Sequence, residues 1–95
     1  MGAGSAVGSN NNTAGSGTFT IQPSAGVEWV VHNFMWSGPC TITITDGSHP
    51  VVFYTATALG YLGNVQIHLT NTQYVVMTDT SGSTNAMAYN GIETV

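Results

Sequence analysis

The sequence predicts an all-β fold, a compact antiparallel jelly-roll-like sandwich of about seven strands preceded by a flexible Gly/Ser/Asn-rich arm. Three observations carry that prediction. No run of roughly ten residues spaces its apolar side chains at i, i+3, i+4 and i+7, so no amphipathic helix is expected. From Thr18 onward, short stretches rich in Val, Ile, Thr, Phe and Tyr are broken by turn residues every eight to twelve positions or so, the rhythm of a sandwich or barrel. In "CTITIT" (40–45), finally, the alternation is unbroken: Cys40, Ile42 and Ile44 share one face and Thr41, Thr43 and Thr45 the other, as in a half-buried antiparallel strand.

Taken in order, residues 1–17 are Gly, Ser, Ala, Asn and Thr with a single Val after the initial Met. So little apolar surface cannot offset the entropy of ordering, and this segment is expected to be a mobile arm that orders only against a partner. The domain proper is expected at 18–95. "TFTIQ" (18–22) is the first strand, ended by the turn signal "PSAG". "VEWVVHNFMW" (27–36) is the longest and most aromatic strand, and Gly38 and Pro39 close it. Strand 40–45 then turns through Asp46-Gly47, a strong hairpin signal, into "VVFYTATA" (51–58). "LGYLGN" is expected to be a loop that exposes Tyr61 and Leu62 between glycines. Strand 65–70 places Val65, Ile67 and Leu69 inward and Gln66, His68 and Thr70 outward; strands 73–79 and 85–95 complete the fold.

The chain has 95 residues, of which 4% are charged: Glu28, Asp46, Asp79 and Glu93, with no Lys or Arg. An ordinary globular chain is about 25% charged. Its hydrophobic fraction of 42% is nevertheless enough to fold. Without cationic side chains it cannot neutralise phosphates, so nucleic acid is not an expected partner. Anionic membranes and phosphate- or carboxylate-bearing substrates fall to the same argument. No apolar run reaches the length of a membrane-spanning helix, and the N-terminal residues lack the basic and apolar regions of a signal peptide. The single cysteine, Cys40, can make no intrachain disulfide and reads as a small buried hydrophobe.

Catalysis is not expected, because the reactive inventory is thin. His32, His49 and His68 have no second histidine three to five residues away, so the usual metal-ligand spacing is missing. There is no G-x-S-x-G elbow, and the glycines of "GYLGN" lack a following helix. Neither a cofactor nor a metal is expected.

Strand 27–36 instead points to association. Simple alternation puts Val27, Trp29, Val31 and Met35 on one face and Val30, Phe34 and Trp36 on the other, so both faces are apolar. A strand apolar on both faces needs cover on both sides, and a chain with no helices finds it in another subunit. Val30, Phe34, Trp36, Tyr54 and Tyr74 are therefore the candidate subunit interface, and Tyr61 and Leu62 a candidate exposed loop contact.

"FTIQPSAGVEWVVHNF", "HLTNTQYVVMTDTSGS" and the closing "AMAYNGIETV" resemble the small all-β virion proteins of tailed bacteriophages, above all capsid decoration (cement) proteins and, more distantly, fibre-head domains. The resemblance covers residues 18–95. It implies a homotrimer seated on the capsid surface of the virion, clamping the major capsid protein without catalysis. The alternative is a receptor-binding or fibre-tip module whose Tyr and Trp side chains stack on host-surface glycan.

Overall fold

The computed structural model describes residues 3–13 and 17–94, and over them the chain is all β. The strands are β1 (Ala6–Thr13), β2 (Thr18–Ile21), β3 (Trp29–Trp36), β4 (Cys40–Thr45), β5 (Val51–Ala56), β6 (Gly60–Leu62), β7 (Ile67–Leu69), β8 (Tyr74–Asp79) and β9 (Asn85–Glu93). They form two antiparallel sheets, one ordered β1-β9-β3-β6 with β7 also on β3, the other β2-β8-β4-β5. The predicted jelly-roll-like sandwich is thus the observed architecture.

The core lies between the sheets. Val31, Phe34, Trp36, Met87 and Tyr89 come from one side, and Ile21, Cys40, Ile42, Val75 and Met77 from the other. The outer face of the second sheet carries the alternating partners, Thr41, Thr43, Val76 and Thr78. Burial pushes the Cys40 thiol up to about 11, with the Asp79 carboxylate adding to the effect, so Cys40 stays a neutral packing group.

Three departures from the sequence reading are physical in origin. Ala6–Thr13 is a strand, correcting the expected arm: it pairs with β9 from Ala6↔Ile92 to Thr13↔Asn85. Composition undercounted it because the pairing is made by the backbone, which a Gly/Ser/Asn run supplies as well as any other. Two side chains anchor it: Val7 packs on the core, and Thr13 is buried with its hydroxyl on Asp79 and on the Asn85 carbonyl. The division into a 1–17 arm and an 18–95 domain therefore cuts through one sheet, although residues 1, 2 and 14–16 lie outside the described residues.

The second departure is a β-bulge in β3. Its register with β9 slips between Val31 and Asn33, so that Val31 faces Gly91 and Asn33 faces Asn90. One extra residue reverses the alternation beyond it. Trp29, Val31, Phe34 and Trp36 consequently share the inner face, which leaves Val30 and Met35 as the apolar residues of the outer one. The third departure is β6: Gly60–Leu62 is a short strand on β3, not a free loop.

One end of the sandwich is held by a buried polar cluster. Asn85, fully buried, accepts through Oδ1 from the Ser37 N–H (3.2 Å), the Ser37 hydroxyl (3.2 Å) and the Gly38 N–H (3.1 Å). Its Nδ2 donates to the carbonyls of Gly38 (3.0 Å) and Pro39 (2.9 Å) and, at 3.4 Å, to Asp79. Asp79 is buried too, and the Ser81 hydroxyl and N–H reach its Oδ1 at 2.6 and 2.8 Å. The Ser81 hydroxyl is the largest of the influences that hold the Asp79 carboxyl below the usual carboxylate range against the opposing effect of burial. A depressed pKa stabilises the fold above the unfolded-state value and loses that contribution as pH falls through the folded value. Asp79→Asn is accordingly expected to flatten the acid limb of a stability profile followed by urea denaturation from pH 7 to about pH 2. An acid limb identical to wild type would exclude this role for Asp79.

Candidate subunit interface

The turn after β4 is built by Asp46, whose Oδ1 accepts from the Ser48 and His49 N–H groups at 2.8 and 2.7 Å, while Gly47 takes φ 98°. His49 Nδ1 returns to Asp46 Oδ2 at 3.0 Å. Pro50 then delivers the chain into β5, the outer strand of its sheet. Here too a bulge intervenes: Ile42 faces Tyr54 but Thr43 faces Val52, leaving Phe53 as the extra residue. Phe53 turns inward against Phe34, ring centroids 6.3 Å apart at 64°. Tyr54 leans on Trp36 at 5.4 Å and 43°.

Trp36 also organises the connection between β5 and β6. Its indole N–H donates to the Ala58 carbonyl at 2.9 Å, which pins that connection in place. A side chain at Gly60 would put its Cβ 3.3 Å from the same indole nitrogen, so the chain passes close over the ring. With Ala58 and Gly60 fixed, Leu59 and Tyr61 are held outward, each 74% exposed. Val51 and Val52 are 58% and 55% exposed, and Tyr54 38%. Of the exposed large hydrophobic residues among those described, only Ile92 lies elsewhere. A cleft of about 240 Å³ lies between Tyr54 and Tyr61, with Trp36, Thr55, Thr57 and Leu59 also in its lining. The exposed β5–β6 strip contains no charged residue.

The sequence-derived interface residues do not come together as one surface. Phe34 and Trp36 are core residues, a correction that follows from the β3 bulge. Val30 does face outward, on the first sheet beside Ile92 and His68. Tyr74 is half-buried on the outer face of the second sheet, opposite Thr45. Only Tyr54 belongs to the exposed strip. Of the loop pair, Tyr61 is as exposed as expected, whereas Leu62 is half-buried and packs against the core, because strand alternation in β6 sends neighbours to opposite sides. Val51, Val52 and Leu59 were missed. A proline-led strand that opens on paired valines was the available signal for the first two.

His68 Nε2 lies 2.8 Å from Glu28 Oε1 on the surface, joining β7 to the residue before β3. Among the described residues no three of His, Cys, Asp and Glu are grouped as metal ligands, and no helix is long and apolar enough to cross a membrane.

These features define a β-sandwich with an apolar, charge-free edge. No protein-family model and no curated protein matches the chain. Among solved structures it is similar to the nucleoplasmin-like protein (NLP) core of Drosophila, whose crystal structure was described as providing insight into pentamer formation and histone binding. The two share 11% identity over 93% of this chain and 98% of that one, with a TM-score of 0.55. At that identity the likeness establishes the sandwich fold alone.

Proposed function

We propose that the chain is a non-catalytic structural protein that works as a homo-oligomer within a larger protein assembly, in the role of a phage capsid decoration protein that its sequence resemblance implies, with a trimer as the unit. The observation that carries this reading is the state of its few charges. Glu28 and Asp46 each sit against a histidine, and Asp79 and Glu93 are buried. With no Lys or Arg in the chain, the rest of the exposed surface is mostly Thr, Asn, Ser, Gly, Ala and Gln, interrupted by the apolar residues of β5 and the β5–β6 connection. Interface cores are depleted of charge in the same way. The pentamer formation reported for the Drosophila core adds that a sandwich of this shape can close into a ring.

Light scattering on the full chain at micromolar concentration is expected to give a closed oligomer, about 30 kDa for a trimer of the 9.9 kDa chain. A 9.9 kDa species would refute the reading. Association should be unchanged or slightly tighter between about 0.05 and 1 M NaCl at pH 7.5, since the chain offers almost no Coulomb interactions for salt to screen. A tenfold weakening over that range would show that charge holds the subunits together.

Glycan recognition at a fibre tip is the second reading, favoured by one observation: Tyr54 and Tyr61 flank an uncharged cleft beside Thr55 and Thr57.

A further inference from the structure

Among the described residues, open backbone edges run along β1, β6 and β7 in the first sheet and along β2 and β5 in the second. With no lysine to guard it, an open edge in this chain is blunted by shortness, by proline or by a bulge. β6 and β7 are three residues long and β2 four, and β5 follows Pro50 and carries the bulge at Phe53. β1 has none of these devices. It runs for eight residues, pairs with β9 from Ala6 to Thr13 without a register shift, and contains neither proline nor charge. Its backbone groups sort by parity. The Glu93 N–H donates to the Ser5 carbonyl at 2.8 Å, and the Ser37 N–H donates at 2.9 Å to the carbonyl of Ala86, the residue opposite Asn12. Ser5 therefore faces β9 and Asn12 faces away from it, so ladder alternation turns the N–H and C=O groups of Ala6, Gly8, Asn10 and Asn12 outward.

We infer that this edge is where a second copy of the chain adds its own β1, antiparallel about a two-fold axis at Ser9. An extended backbone is what offers donors and acceptors at the spacing of these residues, and the copy fits because the edge is complementary to itself. With Ser9 opposite its own copy, Ala6 faces Asn12 and Gly8 faces Asn10, so each outward residue meets another outward residue and the two exchange hydrogen bonds. The seam then carries about eight hydrogen bonds, against about ten in a typical stable interface. A two-fold axis also sets the residues around it against their own kind, where a charged side chain would repel its copy. Ala6–Thr13 holds no such side chain, and its exposed Gly8, Ser9, Asn10, Asn11 and Asn12 put little bulk across the seam. The inference goes beyond the homo-oligomeric reading, because a two-fold contact does not close a trimer: it joins one closed unit to the next.

The test compares the wild-type full chain with Asn10→Pro and with Asn10→Ala by sedimentation equilibrium, circular dichroism confirming the β fold in each. Asn10→Pro removes an outward N–H and puts the ring where the copy would pair; the ladder to β9 keeps its bonds, since proline is tolerated on an edge strand where the N–H faces solvent. Asn10→Ala removes the side chain and keeps the N–H. The expected result is half the wild-type mass for Asn10→Pro and the wild-type mass for Asn10→Ala. In wild type, the Gly8 and Asn10 amides should exchange roughly tenfold more slowly, or slower still, in the associated state than on dilution, a readout that needs no variant to fold. An oligomeric wild type whose mass survives Asn10→Pro, or whose Gly8 and Asn10 amides stay unprotected, would overturn this edge while leaving the homo-oligomer intact. Equal loss of mass for Asn10→Ala would place the contact in the side chain and overturn the backbone pairing. A wild-type dimer that Asn10→Pro converts to monomer would establish the edge and refute the trimer. A monomeric wild type would overturn both readings, and protection of its Gly8 and Asn10 amides by an added neutral β-strand peptide would assign the edge to a strand of another protein instead.

Discussion

Asn85→Ala is expected to destabilise the fold by roughly 3 kcal/mol, because it empties the space of a fully buried side chain and strips the Gly38 N–H and C=O of their partner at about 1–3 kcal/mol each, whereas the Ser37 N–H and the Pro39 carbonyl keep their backbone bonds to Ala86 and Thr80. The amide fills both roles at once. It accepts from two backbone N–H groups and the Ser37 hydroxyl, and it donates to two carbonyls in the tight connection between β3 and β4. In that connection the Pro39 carbonyl also accepts from the Thr80 N–H and the Ser37 N–H also donates to the Ala86 carbonyl, so it is Gly38, bonded to the amide through both its N–H and its C=O, that depends on Asn85. Asp79 would lose its 3.4 Å contact with Nδ2 and keep the Ser81 and Thr13 hydroxyls. Each kcal/mol shifts Tm by about 4–8 °C in a domain of this size, so a fall of roughly 12 °C or more is expected by differential scanning calorimetry. Asn85→Asp should fare little better, because it replaces the donor facing the Asp79 carboxylate with a second carboxylate. A Tm within about 4 °C of wild type for Asn85→Ala would mean that the cluster does not clamp this end of the sandwich.

The same residue shows where sequence reading stops. Asn85 opens the last strand in a run of small polar residues, "SGSTNA", and nothing local marks it as the amide that ties β9 to the β3–β4 connection 47 positions earlier. The strands with strong alternation were legible: 40–45 was placed to the residue, and 18–22, 73–79 and 85–95 to within about two residues at the described ends. Local pattern carried those, since alternation and turn residues act over neighbours. Strand β1 was not legible because its order comes from pairing with a segment some 80 positions away. Bulges were hidden for a related reason. A bulge is fixed by what lies across the ladder, and one in β3 and one in β5 were enough to move Phe34 and Trp36 inward and to leave Val51 and Val52 exposed. Of the candidate site, Tyr61 and Tyr54 could be found from sequence; the cleft that joins them depends on the Trp36–Ala58 hydrogen bond, which links residues 22 positions apart. The apolar surplus of β3 was a real signal with a different distribution: the bulge gathers Trp29, Val31, Phe34 and Trp36 inward and leaves only Val30 and Met35 outside.

Gly91→Ala should be at least as damaging, and for a purely steric reason. Gly91 lies in the middle of β9, which is itself between β1 and β3, and faces Val7 on one side and Val31 on the other. Val31 is the last residue before the β3 bulge, where the strand bends toward its neighbour. A Cβ on Gly91 would fall inside contact range of the Val30 carbonyl oxygen and lie 2.7 Å from Val31 Cα and 2.9 Å from the Val30 carbonyl carbon. All three are backbone atoms, so no side chain can rotate away; β3 or β9 must move, and with β3 the Val31–Phe34 part of the core. Overpacking against flexible side chains costs about 1–3 kcal/mol, and a clash with rigid backbone in a central strand should reach the upper end or exceed it. Gly26→Ala provides the comparison: its φ of 81° is left-handed but nothing lies within 4 Å of its Cβ, so only the local backbone penalty of about 1–2 kcal/mol applies. Urea denaturation should therefore rank wild type, Gly26→Ala and Gly91→Ala in falling order, with Gly91→Ala roughly 3 kcal/mol or more below wild type or recovered unfolded. If Gly91→Ala proves no less stable than Gly26→Ala, β3 does not press on β9 at the bulge, and the inward assignment of Phe34 and Trp36 loses its structural cause.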